Sequence, residues 1–211
     1  MVTTDTAAIG VAALRGLGSI LFPVCCPGCG TRGSAPCRRC LEQLEPAGLL
    51  DLPGVHSLDA VVALMWFEGV AAKLVTAIKY ANRRDALEAL AGALARLVAW
   101  RPDAVTWIPT TPAHRRSRGF DHAQLIAAAV ASNLDAPCMP LLVRFDEGSQ
   151  TGRSREERLG AARFEALRHP PPAVLVVDDV CTTGASLGAA AAALRSAGAV
   201  EVGGAALAAT P

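Results

Sequence analysis

Three groups of residues in this sequence have types and spacings suited to chemistry, and the first is made of sulfur. Residues 25–40 read CCPGCGTRGSAPCRRC, with Cys26 and Cys29 in one Cys-x-x-Cys knuckle and Cys37 and Cys40 in a second. Four thiolates at that spacing can surround one Zn2+ tetrahedrally and leave it no open position, which predicts a structural metal rather than a catalytic one. The stretch is glycine-rich and has no hydrophobic periodicity, so metal binding must supply the free energy that a core does not. A redox pair would need only a single knuckle within a strand–helix unit. Cys25 adjoins Cys26 as an alternative ligand, but only Cys26 has the two-residue gap to Cys29. Cys138 has no neighbouring ligand and is expected to be packed.

The second group is VLVVDDVCTTGASL, residues 174–187. An apolar run ends in Asp178 and Asp179, then a short turn opens an alanine-rich segment. In an open parallel sheet, ligands bind beyond the carboxyl ends of the strands, so the two carboxylates face that crevice. The turn directs backbone N–H groups and the positive end of a helix dipole at one point, which suits an anion. Thr182, Thr183 and Ser186 add hydroxyls, Gly184 allows close approach, and Cys181 contributes its backbone N–H rather than a nucleophile. Carboxylates do not bind phosphate, so the doublet needs either a metal ion or vicinal hydroxyls. A ribose 5-phosphate offers both kinds of group, its hydroxyls for the carboxylates and its phosphate for the turn. Charge-assisted hydrogen bonds of this sort contribute roughly 1.5–3 kcal/mol each.

The third group is cationic. The loop after a strand-like AVTWIP carries Thr110, Thr111, His114, Arg115, Arg116 and Arg118, and a later loop carries Arg144, Arg153, Arg155 and Arg158. Nine of the eighteen arginines fall between Arg115 and Arg168, while the formal net charge is only +1, so the cationic character is local. Guanidinium groups match phosphate oxygens in pairs, and Mg2+ commonly bridges a polyphosphate, which suits Thr110, Thr111, Arg115, Arg116 and Arg118 to a pyrophosphate. The later loop is long and polar, as a mobile lid over the site would be, with Gln150, Thr151, Gly152, Arg153, Arg155 and Arg158 its key positions. His114 and His122 are given no chemistry.

The elements that must position these groups alternate. Residues 59–69 are strand-like, and 70–80 and 84–100 show helical spacing, with a turn at 81–84. Then come a strand (104–109), a helix (121–134), a strand (139–145), the polar loop, a strand (173–179), a helix (184–198) and a last strand (200–209). Strands apolar throughout and alternating with helices predict an α/β fold with a parallel sheet covered on both faces. Before it, 1–50 reads as an N-terminal helix and a four-cysteine zinc module, with a further short helix at 41–44. Residues 46–57 read as a linker, and 56–211 as the main domain.

At 211 residues, 52% of them hydrophobic and 18% charged, the chain has one good-sized core and no composition for disorder or a coiled coil. The near-neutral charge argues against a general nucleic-acid-binding surface. The apolar N-terminal run is interrupted by Arg15 and is too short to span a bilayer. No membrane association is expected, and the cytoplasm is the default compartment, which favours thiols or metal ligands over disulfides.

Residues 174–187 resemble the phosphoribosyl pyrophosphate (PRPP) binding motif of type I phosphoribosyltransferases. Together with residues 109–124, 144–164 and AIKYANRRD upstream, they resemble the competence protein F (ComF) family, in which a zinc ribbon precedes a phosphoribosyltransferase domain. The sequence departs from that family's pattern at Pro-Thr-Thr-Pro, where Pro-Val-Pro is commoner, and at Asp121-His122. The resemblance implies a type I phosphoribosyltransferase-like sheet flanked by helices. It also implies that Asp178 and Asp179 hold the ribose and that 181–184 with Ser186 hold the 5-phosphate. The function implied is Mg2+-dependent transfer of a phosphoribosyl group from PRPP to an unidentified acceptor, with pyrophosphate released. A non-catalytic alternative is a PRPP or nucleotide sensor acting in DNA uptake, with a protein or single-stranded DNA partner at the zinc module, where Arg38 and Arg39 are available to phosphates.

Overall fold

A computed structural model describes residues 24–81, 84–110, 121–145 and 163–211. The expected N-terminal helix, Thr111, Arg115, Arg116, Arg118 and the lid positions Gln150, Thr151, Gly152, Arg153, Arg155 and Arg158 lie outside the described residues.

The expected α/β architecture is present. Its main sheet contains β1 (Pro46–Leu49), β2 (Ala60–Trp66), β3 (Ala104–Trp107), β6 (Ala173–Cys181) and β7 (Glu201–Ala209), in the order β1-β2-β7-β6-β3. Every pairing is parallel except β1 on β2, which is antiparallel. The helices are α1 (Arg38–Leu41), α2 (Gly69–Ala81), α3 (Arg84–Ala95), α4 (His122–Leu134) and α5 (Ala185–Ser196). Two apolar clusters sandwich the sheet. Leu175 and Val177 of β6 point into one with Leu74, Leu90 and Ile126, and Val174 and Val176 point into the other with Leu187 and Leu194. Strand residues alternate between faces, so a strand that is apolar at every position must be covered on both sides. β6 meets that condition because α2, α3 and α4 supply one layer and α5 the other.

Four expectations are corrected. Residues 46–49, read as linker, form an edge strand paired Pro46↔Met65 to Leu49↔Val62. Four glycines and prolines over 46–54 suggested a turn-rich connection, but an edge strand tolerates both residues. The strand expected at 139–145 does not join the main sheet. Its β4 portion (Leu142–Phe145) pairs antiparallel with β5 (Arg163–Ala166) in a separate two-stranded sheet, and β5 was not anticipated from the sequence. Residues 137–139 touch the main sheet through backbone bonds to Val105, and the Leu141 N–H donates to the Thr106 hydroxyl at 3.3 Å. The short helix near the knuckles occupies Arg38–Leu41 rather than 41–44. Finally, the helix expected over 84–100 ends at Ala95, and the chain turns at Leu97 and Val98.

Candidate functional site

The acidic doublet sits where the sequence placed it, at the carboxyl end of β6, with β7 and β3 on either side. Asp178 still pairs in register with Ala206, so the sheet itself fixes the doublet's height. Both aspartates are partly buried. The Asp179 N–H donates to Asp178 Oδ1 at 2.8 Å, and Lys79 Nζ lies 2.9 Å from Asp179 Oδ1. Lys79 occupies the last turn of α2, which starts just after β2 and so brings a cation to the carboxyl end of β6.

This arrangement pulls on the Asp178 carboxyl in two directions. Burial and the Asp179 charge raise its pKa, and the Asp121 charge adds to them, whereas the Asp179 N–H and Lys79 lower it, leaving it pushed up to about 7. Near neutral pH the Asp178 carboxyl is therefore only partly ionised. Asp121 is itself tied down, accepting from the N–H of Thr110 at 3.0 Å and capping α4 through the N–H of Ala123 at 3.2 Å. A capping aspartate satisfies an otherwise orphaned helix N–H, which accounts for its burial. Thr110, expected at a pyrophosphate, is thus positioned beside the doublet's surroundings through Asp121, while its neighbours in that loop lie outside the described residues.

After β6 the backbone turns through Thr182 and Thr183, both exposed, into Gly184 at the head of α5. Gly184 has φ +73°, a left-handed conformation that side chains other than glycine rarely adopt, and a Cβ there would stand 2.6 Å from Leu52 Cδ1. Residues just after β1 therefore roof the head of α5. Ser57 extends this roof by donating to the Gly188 carbonyl at 2.7 Å. The Thr183 hydroxyl accepts from the Ala185 N–H at 3.4 Å, Ser186 is partly buried, and the Thr182 carbonyl accepts from the Thr210 hydroxyl at 3.5 Å. Cys181, expected to lend its backbone N–H to the turn, instead ends β6 and is paired with Ala209 of β7. It is buried, and burial raises its thiol pKa, which does not suit a nucleophile.

The cysteine knuckles close on one another. Sγ atoms of Cys26, Cys29, Cys37 and Cys40 all lie within 4.8 Å of each other, and the Cys29 and Cys37 sulfurs are 3.5 Å apart. A tetrahedral Zn–S bond of about 2.3 Å puts sulfurs roughly 3.8 Å apart, so the cluster fits one such ion. Cys26, not Cys25, supplies the sulfur. The first knuckle is a tight turn, with the Cys26 N–H bonded to the Thr31 carbonyl at 2.8 Å, and the second rides on α1. The Thr31 hydroxyl, 3.2 Å from Cys29 Sγ, helps lower that thiol's pKa to about 6, while burial pushes Cys40 upward. The module leans on the main fold: a Cβ on Gly28 would meet Cys40 Sγ at 2.8 Å and Val70 Cγ1, in the first turn of α2, at 3.0 Å. Arg38 is held by Glu42 at 2.7 Å, and Arg39 is exposed. Cys138 packs at the edge of the core, as expected.

An apolar cavity of about 260 Å³, lined by Leu49, Val62, Leu97, Trp100 and Leu175 among others, opens elsewhere. Ala60, Leu175 and Gly204 place it toward the amino ends of β2, β6 and β7, away from the doublet, and no ionisable side chain lines it.

Sequence reasoning assigned no role to Lys79, Asp121 or Leu52. Lys79 is one of two lysines in the chain and falls in the last turn of an amphipathic helix, which was the available signal. Nothing in the sequence marks Leu52 as the neighbour of Gly184.

These features define an α/β protein with a mostly parallel sheet, an acidic doublet beside a helix-opening turn, and a four-cysteine cluster. No family model matches the chain. It is similar to competence protein ComFC of Streptococcus pneumoniae, 32% identical over 99 residues, which is 45% of this chain and 43% of that protein. The match thus spans less than half of either chain. That likeness and the cysteine cluster bear out the resemblance to the competence protein F family. Among solved structures, the chain is similar to glutamine PRPP amidotransferase from B. subtilis (21% identity, 63% of this chain, 30% of that one, TM-score 0.44). It is also similar to a purine phosphoribosyltransferase from Pyrococcus horikoshii Ot3 (21%, 60% and 74%, TM-score 0.40). A third is the allosteric regulatory enzyme of purine biosynthesis (21%, 63% and 30%, TM-score 0.45). No helix among the described residues is long and apolar enough to cross a membrane.

Proposed function

We propose that this chain binds PRPP and transfers its phosphoribosyl group to an acceptor. The carrying observation is the doublet at the carboxyl end of β6, followed directly by the turn that opens α5. Asp178 and Asp179 accept from the ribose hydroxyls. The 5-phosphate takes backbone N–H groups of 182–184 and the hydroxyls of Thr182, Thr183 and Ser186. Thr110, Thr111, Arg115, Arg116 and Arg118 hold the pyrophosphate, and 150–158 closes over it. Mg2+, when bound with PRPP, spreads the charge of the leaving pyrophosphate. In the reaction the bond from the sugar's anomeric carbon to pyrophosphate breaks, a bond to the acceptor forms, and the acceptor's proton passes to solvent. The chain contributes positioning and charge neutralisation rather than a covalent intermediate. Closure excludes water, which would otherwise trap the electron-poor sugar.

The four cysteines hold a structural Zn2+ that replaces a core for residues 24–44. A second reading is favoured by the match to a protein named for competence. On it, the site senses PRPP or a nucleotide and the zinc module meets a protein or single-stranded DNA partner of the DNA-uptake machinery. Calorimetry with PRPP and Mg2+, followed by a pyrophosphate-release assay over a panel of nucleobases and amines, separates the two. Binding with release supports transfer. Binding without release from any acceptor supports sensing, and no binding removes transfer and PRPP sensing alike.

A further inference from the structure

The α2 lysine at the doublet has a consequence for metal use, and it rests on the sugar-phosphate reading above. Two adjacent carboxylates repel each other, and at a ligand site that repulsion is usually met by a divalent cation. Here an ammonium is already there. Lys79 Nζ is 2.9 Å from Asp179 Oδ1, with both side chains about one-fifth exposed. Among the described residues it is the one cation in ion-pair contact with the doublet. Its position is not that of a loose surface lysine. In the turn and a half before it, Leu74, Val75 and Ile78 are buried in the core, and Val70 at the other end of α2 packs against the first cysteine knuckle. The helix is thus held along its length, and so is the base of the lysine stem. The Asp178 carboxylate takes the Asp179 backbone N–H instead, so a backbone donor serves the first carboxylate and the ammonium the second. A divalent ion coordinating Asp179 would have to displace the ammonium or sit against it, and like charges at contact distance repel strongly.

We propose that Lys79 is the resident counter-cation of the Asp178–Asp179 doublet, taking the place of a divalent ion there, so that the doublet accepts ribose hydroxyls without metal. The raised pKa of Asp178 agrees with this, since a partly protonated Asp178 leaves less negative charge at the doublet for one ammonium to offset. Any Mg2+ requirement belongs to the pyrophosphate end of the ligand. Lys79 is a positioning residue on this account: it holds the Asp179 side chain aligned, and does not touch the reacting bond.

The test uses ribose 5-phosphate, which carries the diol and the phosphate but no pyrophosphate. The full chain with its zinc bound is titrated calorimetrically in buffer depleted of divalent cations over a chelating resin, and again with excess Mg2+. The wild type is expected to bind equally in both. Lys79→Met is expected to bind about tenfold more weakly without metal, the scale of one charge-assisted hydrogen bond, and to recover with Mg2+. Lys79→Arg, which keeps the cation, is expected to bind without metal as the wild type does. A merely structural ion pair would weaken binding in both buffers alike. Wild type that binds only with Mg2+ overturns the role of Lys79 while leaving the sugar-phosphate site standing, and this arm does not depend on any variant folding. Lys79→Met that binds like the wild type without metal overturns it too. If the wild type takes up no ribose 5-phosphate in either buffer, the site reading itself fails and the inference falls with it.

Discussion

In the cysteine knuckles four sulfurs lie within 4.8 Å of one another, and in the acidic turn two adjacent carboxylates are met by a backbone N–H at 2.8 Å on Asp178 and an ammonium at 2.9 Å on Asp179. Both regions gather groups that repel when ionised, and they stabilise the gathering differently. The knuckles have short-range turns and one four-residue helix but little core, since Cys26 and Cys40 are their main buried apolar-type residues. Their order depends on a bound ion. The turn instead stands on a strand buried on both faces, and its counter-charge comes from a helix a hundred residues earlier. A core can hold like charges together cheaply only because it is rigid for other reasons.

The largest expected effect falls on the knuckles. Cys37→Ser with Cys40→Ser should remove bound zinc, measured by atomic absorption, and expose amides of 24–44 to rapid hydrogen exchange. Structural zinc contributes roughly 10–16 kcal/mol in small modules, so partial order is not expected to survive. The β-sheet amides should stay protected. Loss of protection across β2, β6 and β7 as well would show that the contact of Gly28 with Val70 couples the two regions, and the contrast drawn above would fail.

A smaller effect is expected at the turn, and its sign depends on pH. An unfolded aspartate titrates near 3.9, whereas Asp178 is pushed up to about 7 in the fold. Between those values the unfolded chain gives up a proton that the folded chain keeps, so this group makes stability fall as pH rises from about 4 to about 7. Below that window it contributes no difference. Asp178→Asn should therefore raise the melting temperature at pH 8 and leave it unchanged at pH 4, a gain of roughly 1–3 kcal/mol allowing for partial exposure. A variant less stable than wild type at pH 8 would mean that the doublet is structurally supportive rather than strained.

The two regions also differ in how much of them the sequence discloses. Cys26, Cys29, Cys37 and Cys40 are legible because ligand spacing is local, and the structure brings those four together and leaves Cys25 out. Asp178, Asp179 and Gly184 are legible because strand, turn and helix are contiguous. What the sequence does not disclose is contact at long range. The ammonium on Asp179, the Leu52 side chain over Gly184 and the β4–β5 pairing each join segments far apart in the chain, and no local pattern encodes them. β1 was missed for a related reason: four residues at a sheet edge carry too little periodicity to distinguish them from a linker.

The central claim is that the Asp178–Asp179 doublet receives the ribose of a phosphorylated sugar. Calorimetric titration of PRPP with Mg2+ into the wild type and into Asp178→Asn with Asp179→Asn tests it most directly. Losing two charge-assisted hydrogen bonds should weaken binding by more than about a hundredfold while circular dichroism stays unchanged. Equal affinity in the two proteins would contradict the account.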